Sequence, residues 1–303
     1  MDISIIMPTK NGSKTIERCL DAIQAQTTTK TFEIIAVDSS STDNTVEILE
    51  NHGCKIISIQ PSEFSHGHSR NLGAQKATGN ILIFVNQDTL PKDDKWLEKL
   101  VAPIDGQNVA AFSRQIPYPE TPIAEKIFLN KVYSDKPRTV GKESLGRRGL
   151  DASVLYSTVS AAIKHDVFNQ FKFSDQIIMG EDQEIAVRLV KAGYTIRYVP
   201  ESVVIHSHSY GISRVFKRYF DAGWGLYSIP DLRGFNLGRM ILDECNLLCE
   251  TASASSKEGT KAWLFSIAYT ISKSLGFAIG TKANFLPKPI QNILSHTIEL
   301  KRQ

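Results

Sequence analysis

The first ninety residues alternate between strand-like and helix-like patterns, and this alternation limits the fold more than any other feature. Short apolar runs at residues 3–7, 32–37, 55–59 and 81–85 predict four strands. Between them, apolar residues with helical spacing predict helices, one of them over residues 69–77. Repeats of this βα kind form mainly parallel sheets. We therefore expect an α/β fold with a mixed, mostly parallel sheet flanked by helices.

Two of the predicted strands are followed by aspartates. Asp38 comes directly after the strand 32–37, and Asp88 lies three residues beyond the strand 81–85. In parallel sheets ligands bind beyond the carboxyl ends of the strands, so both carboxylates are expected at a binding edge. No G-x-G-x-x-G follows the first strand and no G-x-x-x-x-G-K-[ST] occurs, which excludes ordinary dinucleotide enzymes and P-loop ATPases.

The segment Asn86-Gln87-Asp88 is the first candidate for chemistry. A carboxylate such as that of Asp88 suits Mg²⁺ or Mn²⁺, and either cation neutralises a departing diphosphate. Asn86 offers a carbonyl ligand or a partner for a water molecule. The structural alternative is that Asp88 only opens the turn into Pro91.

The pair Glu181-Asp182 is the second candidate, at the start of a helix predicted over Glu181–Lys191. A helix N-terminus stabilises a carboxylate as the anion. Such a carboxylate suits a general base that deprotonates a sugar hydroxyl. The alternative is ordinary helix capping, in which acidic residues are common.

Two histidine pairs share the same spacing. His206 and His208 follow a strand predicted at residues 202–205, and they are candidates to bind a metal or a diphosphate. A hydrogen-bonded surface pair is the alternative. His66 and His68 precede Arg70, which is placed at a helix start and could clamp a phosphate through two hydrogen bonds.

The order of these segments along the chain resembles family 2 glycosyltransferases with the GT-A fold. The resemblance covers about residues 1–210. The motifs that carry it are Pro8-Thr9-Lys10-Asn11-Gly12, Val37-Asp38-Ser39-Ser40-Ser41-Thr42-Asp43-Asn44-Thr45, Arg70-Asn71-Leu72-Gly73, Ala77-Thr78-Gly79, Phe84-Val85-Asn86-Gln87-Asp88 and Glu181-Asp182. Two positions depart from the family pattern: Asn86 replaces the first aspartate of a D-x-D metal motif, and Ser39-Ser40 replaces an acidic and glycine pair.

The resemblance implies an inverting transfer of a sugar from a nucleoside diphosphate sugar. Asp182, beside Glu181, is implied as the catalytic base. Thr9 and Asp38 are implied to contact the nucleobase. The implied nucleotide-binding residues are Pro8, Thr9, Asn11, Asp38, Arg70, Asn71, Asn86 and Gln87. Asp88 is implied as the surviving aspartate of the metal motif. Together with the candidates His206 and His208, it makes up the predicted ligand set of a divalent metal, Mg²⁺ or Mn²⁺.

Within the family, the chain is most similar to bacterial rhamnosyltransferases of surface polysaccharide (O-antigen) synthesis. The segments that carry this likeness are Phe64 to Gly73, Ser113-Arg114-Gln115-Ile116-Pro117, Ser207-His208-Ser209-Tyr210 and Phe216-Lys217-Arg218-Tyr219-Phe220-Asp221. The resemblance implies dTDP-L-rhamnose as donor and a glycan or lipid-linked oligosaccharide as acceptor. The alternatives are another UDP- or dTDP-sugar, a nucleotidyltransferase of the same fold, or a non-catalytic sugar-nucleotide-binding protein.

The pattern of the sequence changes near residue 210, because helical periodicity follows and no further strand is evident. We take this position as the boundary between a catalytic domain (1–210) and a helical C-terminal region (211–303). That region has twelve Lys/Arg against seven Asp/Glu, a balance of +5. An apolar stretch at residues 263–280 is interrupted by Lys273, which favours a helix at an anionic membrane surface over a spanning one. The alternative is packing on the catalytic domain or in a homo-oligomer. A nucleic-acid partner would leave the acidic segments unexplained.

The amino terminus lacks a signal-peptide pattern, and the four cysteines contain no C-x-x-C pair. We therefore expect a cytoplasmic protein with reduced cysteines, peripheral on the inner face of the cell membrane. Cys245 and Cys249 lie one helical turn apart and are predicted to share a buried helix face. Residues 134–151 are rich in glycine and basic residues and are predicted to form a lid over the donor.

Overall fold

Nine strands among the described residues form one mixed sheet. The computed structural model describes residues 1–145, 155–232 and 237–300. The strands are β1 (Ile3–Thr9), β2 (Phe32–Asp38), β3 (Lys55–Ser58), β4 (Ile81–Val85), β5 (Leu90–Pro91), β6 (Asn108–Ile116), β7 (Arg138–Val140), β8 (Ser160–Lys164) and β9 (Thr195–Ile205). Their order across the sheet is β3-β2-β1-β4-β8-β6-β9-β5, and β7 pairs with β9.

The first four strands are parallel, which confirms the expectation from the βα repeats. Along β1 and β4 successive side chains are buried on opposite faces of the sheet: Ile5 and Ile83 on one, Ile6 and Phe84 on the other. This two-sided burial explains why these strands are apolar runs rather than alternating patterns. The register pairs Thr9 with Asp38, so both lie at the carboxyl edge.

The second half of the sheet is mixed, and its directions extend the same binding edge. The strand β8 runs antiparallel to β4 and β6, while β6 and β9 are parallel. The register pairs Val85 with Ser160 and Ile116 with Ile205. Residues after β4, before β8 and after β9 therefore meet at one end of the sheet.

Helices cover both faces of the sheet and continue into the C-terminal region. The helices are α1 (Ile16–Gln24), α2 (Thr45–Asn51), α3 (His66–Gln75), α4 (Trp96–Val101), α5 (Ile123–Val132), α6 (His165–Phe171), α7 (Glu181–Lys191), α8 (Ile212–Ser228), α9 (Leu237–Ser255), α10 (Thr260–Gly280), α11 (Lys288–Leu294) and α12 (His296–Leu300). Residues of α1 and α4 belong to the core on one face, and residues of α3, α6 and α7 to the core on the other.

Three predictions about local structure are wrong. The helix α3 begins at His66 rather than Ser69, because Ser65 caps it by accepting a hydrogen bond from the His68 amide at 3.0 Å. Pro200 does not end a strand: β9 continues through it, since the pairing with β6 shifts register there. Cys245 and Cys249 are exposed rather than buried.

The predicted lid is partly ordered as sheet. The strand β7 lies within residues 134–151 and pairs antiparallel with β9, against the expectation of a loop throughout. The cation of Arg138 lies 4.5 Å from the centre of the Tyr198 ring, which fixes this segment against the sheet. Residues 146–151 of the predicted lid, with Arg147 and Arg148, lie outside the described residues.

The C-terminal helices pack closely on one another. The Ser272 hydroxyl in α10 donates to the Ile212 carbonyl in α8 at 3.0 Å. Four and eight residues further along α10, a Cβ added at Gly276 or Gly280 would lie 2.4 or 2.1 Å from carbonyl oxygens of α8. Lys273 is buried and lies 3.7 Å from Glu125, so it does not face a surface as predicted. The domain boundary near residue 210 stays a prediction.

Candidate functional site

Three ligand-type side chains converge at the carboxyl edge of the sheet. Asp88 follows β4, while His206 and His208 follow β9, and their ligand atoms all lie within 4.8 Å of one another. His206 Nε2 lies 3.5 Å from one Asp88 oxygen, and His208 Nδ1 lies 3.6 Å from the other. Among the described residues this is the one such cluster; His66 and His68 lie in α3 and do not join it.

The electrostatics of the cluster suit a cation. Burial opposes ionisation of Asp88, but His206 and His208 outweigh it and hold the pKa of that carboxyl below its usual range. Burial, with His206 and Arg218 adding to it, lowers the pKa of His208 to about 3, so that imidazole is neutral. One carboxylate and two imidazoles are a donor set that a divalent metal accepts.

A buried glutamine orients His206. The Gln115 Oε1 atom lies 3.2 Å from His206 Nδ1, which makes Nδ1 the protonated nitrogen. The amide nitrogen of Gln115 donates in turn to the hydroxyls of Tyr133 and Ser157. The opposite ring nitrogen, His206 Nε2, is buried without a hydrogen-bond partner among the described residues. This nitrogen faces Asp88 Oδ1 at 3.5 Å: a proton on it stabilises the Asp88 carboxylate, and loss of that proton would free a lone pair for a metal at the same place.

Sequence reasoning missed Gln115 as a site residue. It appeared in the segment that carries the rhamnosyltransferase likeness, but without a role. Its contact with His206 spans 91 positions in sequence and depends on the pairing of β6 with β9. Gln115 follows Ser113 and Arg114 in β6, so a polar residue there gives no distinctive signal in the sequence.

Asp182 lies in the first turn of α7, after Gly180 at φ 92°. Its Oδ2 atom accepts a hydrogen bond from the Thr158 amide at 3.2 Å. Burial and the neighbouring Glu181 raise the pKa of Asp182 to about 7, although Arg70 opposes the shift. A carboxylate with a pKa near neutrality has the protonation behaviour of a general base.

A buried arginine joins the Asp182 region to the Asp88 segment. Arg70 donates to Glu181 Oε1 at 2.7 Å and to Asn86 Oδ1 at 3.1 Å, and its exposed fraction is 3%. It lies four residues inside α3, so its predicted place at a helix start is wrong. Val159 lies just before β8 in the sequence. Its carbonyl accepts hydrogen bonds from the Asn86 amide and the Thr89 hydroxyl. Both candidate groups therefore share one rigid frame.

The predicted nucleobase residues lie together at the ends of β1 and β2. The Thr9 hydroxyl donates to Asp38 Oδ1 at 2.9 Å, and the Ser41 amide donates to Asp38 Oδ2 at 2.8 Å. Asp38 has an exposed fraction of 1%. Asn11 has a positive φ of 44° and accepts a hydrogen bond from the Thr42 amide. Pro8 pairs with Val37 in register.

Gln87 and Asn71 hold segments of the site in place. Gln87 forms two hydrogen bonds with the backbone of Lys10, both 2.9 Å, and so ties the segment after β4 to the segment after β1. Asn71 donates to the Phe173 carbonyl at 2.9 Å and to Asp175 at 3.0 Å. Both side chains therefore make intramolecular contacts where nucleotide contacts are predicted, and their nucleotide-binding roles stay predictions.

Comparison with known proteins agrees with this arrangement. Residues 4–169 match the model of the family described as Glycosyl transferase family 2. The chain is 33% identical to the O-antigen chain rhamnosyltransferase RfbN of Salmonella typhimurium, over 74% of this chain and 72% of that one. It is 34% identical to the O-antigen chain rhamnosyltransferase WbaN of Salmonella anatum, over 73% and 70% of the two chains.

The fold matches that of a solved glycosyltransferase. The mannosyltransferase PcManGT from Pyrobaculum calidifontis, solved with GDP-Man and Mn²⁺, superposes with a TM-score of 0.62 at 17% identity. The match covers 92% of this chain and 86% of that one. It extends beyond the sheet into the C-terminal helices, and it confirms the GT-A-type fold. On the family match and the two relatives, the chain belongs to glycosyl transferase family 2.

Proposed function

We propose that the chain transfers a sugar with inversion from a nucleoside diphosphate sugar to an acceptor in bacterial surface polysaccharide synthesis. The observation that carries this is the pairing of a poised carboxylate, Asp182, with the Asp88, His206 and His208 cluster at one sheet edge. L-Rhamnose from dTDP-L-rhamnose is the favoured sugar, in keeping with the names of the two Salmonella relatives. Another UDP- or dTDP-sugar is the alternative donor.

The base step belongs to Asp182. In its ionised form Oδ2 removes the proton of an acceptor hydroxyl, and the resulting oxygen nucleophile attacks the anomeric carbon from the face opposite the leaving group. Thr158 and Gln183 amides hold the carboxylate in place while the Glu181 carboxylate is neutralised by Arg70. A single displacement inverts the anomeric configuration.

The cluster of Asp88, His206 and His208 would hold a divalent metal. When bound, such a cation supplies positive charge to the departing nucleoside diphosphate. A mixed nitrogen and oxygen donor set favours Mn²⁺ over Mg²⁺, because Mg²⁺ prefers oxygen ligands alone. Gln115 keeps the His206 lone pair directed into the cluster.

The experiment that tests the proposal measures donor binding and turnover in one preparation. Nucleoside diphosphate sugars are screened by thermal shift with and without Mn²⁺ or Mg²⁺, since a ligand that binds the native state raises its stability. Slow hydrolysis of the stabilising donor then separates an enzyme from a non-catalytic binding protein. If no nucleoside diphosphate sugar shifts the unfolding temperature with either metal, the proposal is wrong.

We propose that the protein works in the cytoplasm, peripheral on the inner face of the cell membrane, on a lipid-linked acceptor. The helix α10 is long and apolar enough to cross a membrane by its length and composition. A third of its most apolar 18-residue stretch is buried against the rest of the protein. Large apolar side chains remain exposed on α10 and just after it. We call these residues the apolar patch: Leu264, Ile271, Leu275, Ile279, Phe285, Ile290 and Ile293.

Exposed lysines accompany the apolar patch. They are Lys257, Lys261, Lys282 and Lys288. An apolar surface with lysines around it is the pattern of a helix that lies in the headgroup region of an anionic membrane. A homo-oligomer that covers the patch is the alternative, and the two are separated by the vesicle experiment described in the Discussion.

A further inference from the structure

The helix α8 is in direct backbone contact with the segment that leads to Asp182. A Cβ added at Gly225 would lie 1.6 Å from the carbonyl oxygen of Met179 and 2.7 Å from its carbonyl carbon. Both atoms belong to the backbone, so no side chain can turn aside to make room. Position 225 therefore admits glycine alone while Met179 keeps its place.

This contact lies immediately before the helix that presents the carboxylate. Gly180 is the N-cap of α7 and has a φ of 92°. A Cβ built at Gly180 would lie 3.6 Å from the Leu226 Cδ2 atom, so the next residue of α8 also faces this turn. Asp182 is the second residue of α7. Because Met179 and Gly180 lead directly into the first turn of α7, the surface of α8 sets where that turn starts.

The helix α8 is also held on its other side. A Cβ added at Gly223 would lie 2.2 Å from the carbonyl oxygen of Phe277 in α10. Residues two apart on an α-helix point in directions about 200° apart, so Gly223 and Gly225 lie on opposite sides of α8. The helix is thus enclosed between α10 and Met179. It cannot move away from Met179 without displacing α10.

The hydrogen bonds of Asp182 do not fix its position by themselves. The Thr158 amide and hydroxyl lie 3.2 and 3.4 Å from Oδ2, at the long end of the normal range. The Gln183 amide donates at 2.9 Å, but it belongs to α7 and moves with it. The position of the carboxylate therefore depends on where α7 begins. A misplacement of about 1 Å in a reacting group can lower a rate by about 100-fold.

We propose that Gly225 is a positioning residue for Asp182, because it lets the Met179 carbonyl rest directly on α8 and so fixes the start of α7. The proposal rests on the transferase function above. It adds the C-terminal helices to the machinery of the base, although the family match ends at residue 169. The helix α8 is then a spacer of fixed thickness between α10 and the base.

The test compares Gly225→Ala with Gly276→Ala in the full chain. Each variant inserts one methyl group into a backbone contact of α8, but on opposite sides of the helix. We expect kcat to fall about 100-fold in Gly225→Ala, because Met179 must move, while donor affinity in the presence of metal stays at the wild-type value. Gly276→Ala should keep the wild-type kcat, because α10 has an exposed face and can move outward.

A second variant covers the case in which Gly225→Ala does not fold. Leu226→Ala removes a side chain that faces Gly180 and inserts no atom into the contact. It should lower kcat by less than Gly225→Ala does, again with donor affinity unchanged. A wild-type kcat in Leu226→Ala, together with a wild-type kcat in Gly225→Ala if that variant folds, would contradict the positioning role.

A carboxyl NMR titration of the free protein gives a readout that does not require turnover. The pKa of Asp182 should fall from about 7 in the wild type toward its ordinary value of 3.8 in Gly225→Ala, because burial is the main cause of the raised pKa. The other charges that act on Asp182, those of Glu181 and Arg70, are present in both proteins.

The two readouts separate this proposal from the transferase function. An unchanged Asp182 titration with an unchanged kcat in Gly225→Ala would overturn the positioning role, and so would equal losses of kcat in Gly225→Ala and Gly276→Ala. A wild type that transfers no sugar contradicts the transferase function instead. In that case a shifted Asp182 titration in Gly225→Ala still supports the positioning role, and an unshifted one overturns it.

Discussion

Asp182 combines a protonation state useful for catalysis with a cost to the fold. Its pKa of about 7 lies above the ordinary value of 3.8, chiefly because of burial. The folded state therefore holds this proton more tightly than the unfolded state, and stability falls as pH rises from about 4 to about 7. The transfer rate should change in the opposite direction and rise as pH increases through 7, because only the ionised carboxylate can remove a proton.

We expect Asp182→Asn to lower the transfer rate by about 10²–10⁴-fold while donor binding persists. The amide oxygen can still accept from the Thr158 amide but cannot take a proton. The same variant should melt at a higher temperature than the wild type at pH 8, because the buried charge is gone. Turnover is measured with the preferred donor, and unfolding by calorimetry.

The matched control for Asp182→Asn is Glu184→Gln in the same helix. Glu184 pairs with Arg188 at 2.6 Å and belongs to neither candidate group. In Glu184→Gln, the transfer rate should still rise with pH around 7, as it does in the wild type. Near-normal turnover in Asp182→Asn, or an unchanged acid limb in that variant, would remove the carboxylate from the mechanism.

Gln115 would act on the proposed metal site through its contact with His206. Gln115→Leu leaves Nδ1 without its partner, so the imidazole loses its fixed tautomer and orientation. We expect Mn²⁺ affinity to fall about 10–100-fold, as for other supporting residues of metal sites. Calorimetric titration of the free protein with Mn²⁺ measures this without an activity assay.

Gln170→Leu, an exposed glutamine on α6, should titrate as the wild type does. Equal Mn²⁺ affinity in Gln115→Leu and Gln170→Leu would contradict the positioning role. Full activity after complete chelation by EDTA would contradict the metal proposal as a whole.

At the scale of elements, the contact between α8 and α10 leaves no room for side chains. A Cβ at Gly276 would lie 2.4 Å from the Phe216 carbonyl oxygen, so Gly276→Ala must push the helices apart. We expect a loss of about 1–3 kcal/mol in the free energy of unfolding. Denaturant melts quantify the loss.

Gly211→Ser is the control, because a Cβ there meets open space, φ is −71° and Gly211 is the N-cap of α8. Its effect should stay at a few tenths of a kcal/mol, the usual difference between glycine and serine at such a cap. Equal stability of Gly276→Ala and the wild type would mean that the two helices separate easily in solution.

Elements whose patterns repeat locally were predictable, and those that depend on distant partners were not. The strands β1, β2 and β4 are buried on both faces and appear in the sequence as apolar runs. Pro200 is tolerated because the register shift between β6 and β9 leaves the ladder irregular there. Gly67 lies inside the first turn of α3, where a Cβ would lie 2.4 Å from the Ser174 carbonyl oxygen, a contact that the sequence does not show.

The candidate site shows the same division. The types of Asp88, His206, His208 and Asp182 and their places after strands or at a helix start are local features, and the structure brings the first three together. The sequence predicts Arg70 to clamp a phosphate. Its ion pair with Glu181 joins positions 111 residues apart, which no local pattern indicates.

At the scale of the whole molecule, the apolar patch predicts reversible binding to anionic membranes. Each lysine near an anionic leaflet contributes roughly 1 kcal/mol, so binding should weaken as salt rises. Co-sedimentation with phosphatidylglycerol vesicles at low and high salt measures this. The variant Phe285→Ser/Ile293→Ser should lose most of the bound fraction, because both side chains are among the most exposed of the patch.

Phosphatidylcholine vesicles serve as the uncharged control. Ser256→Ala, at an exposed position that does not belong to the patch, should bind as the wild type does. Absence of binding at low salt, together with a dimer by light scattering, would assign the patch to a protein interface instead.

The position of β9 sets the order in which a newly made chain becomes competent. This strand lies between β6 and β5 in the sheet. It is the last of the nine strands to be synthesised. Until it emerges from the ribosome, the backbone of β6 has an open edge that invites pairing with other chains. The same strand delivers His206 and His208. Closing that edge and delivering the two proposed metal ligands are thus a single event, so a prematurely terminated chain would keep an exposed strand edge and lack both histidines.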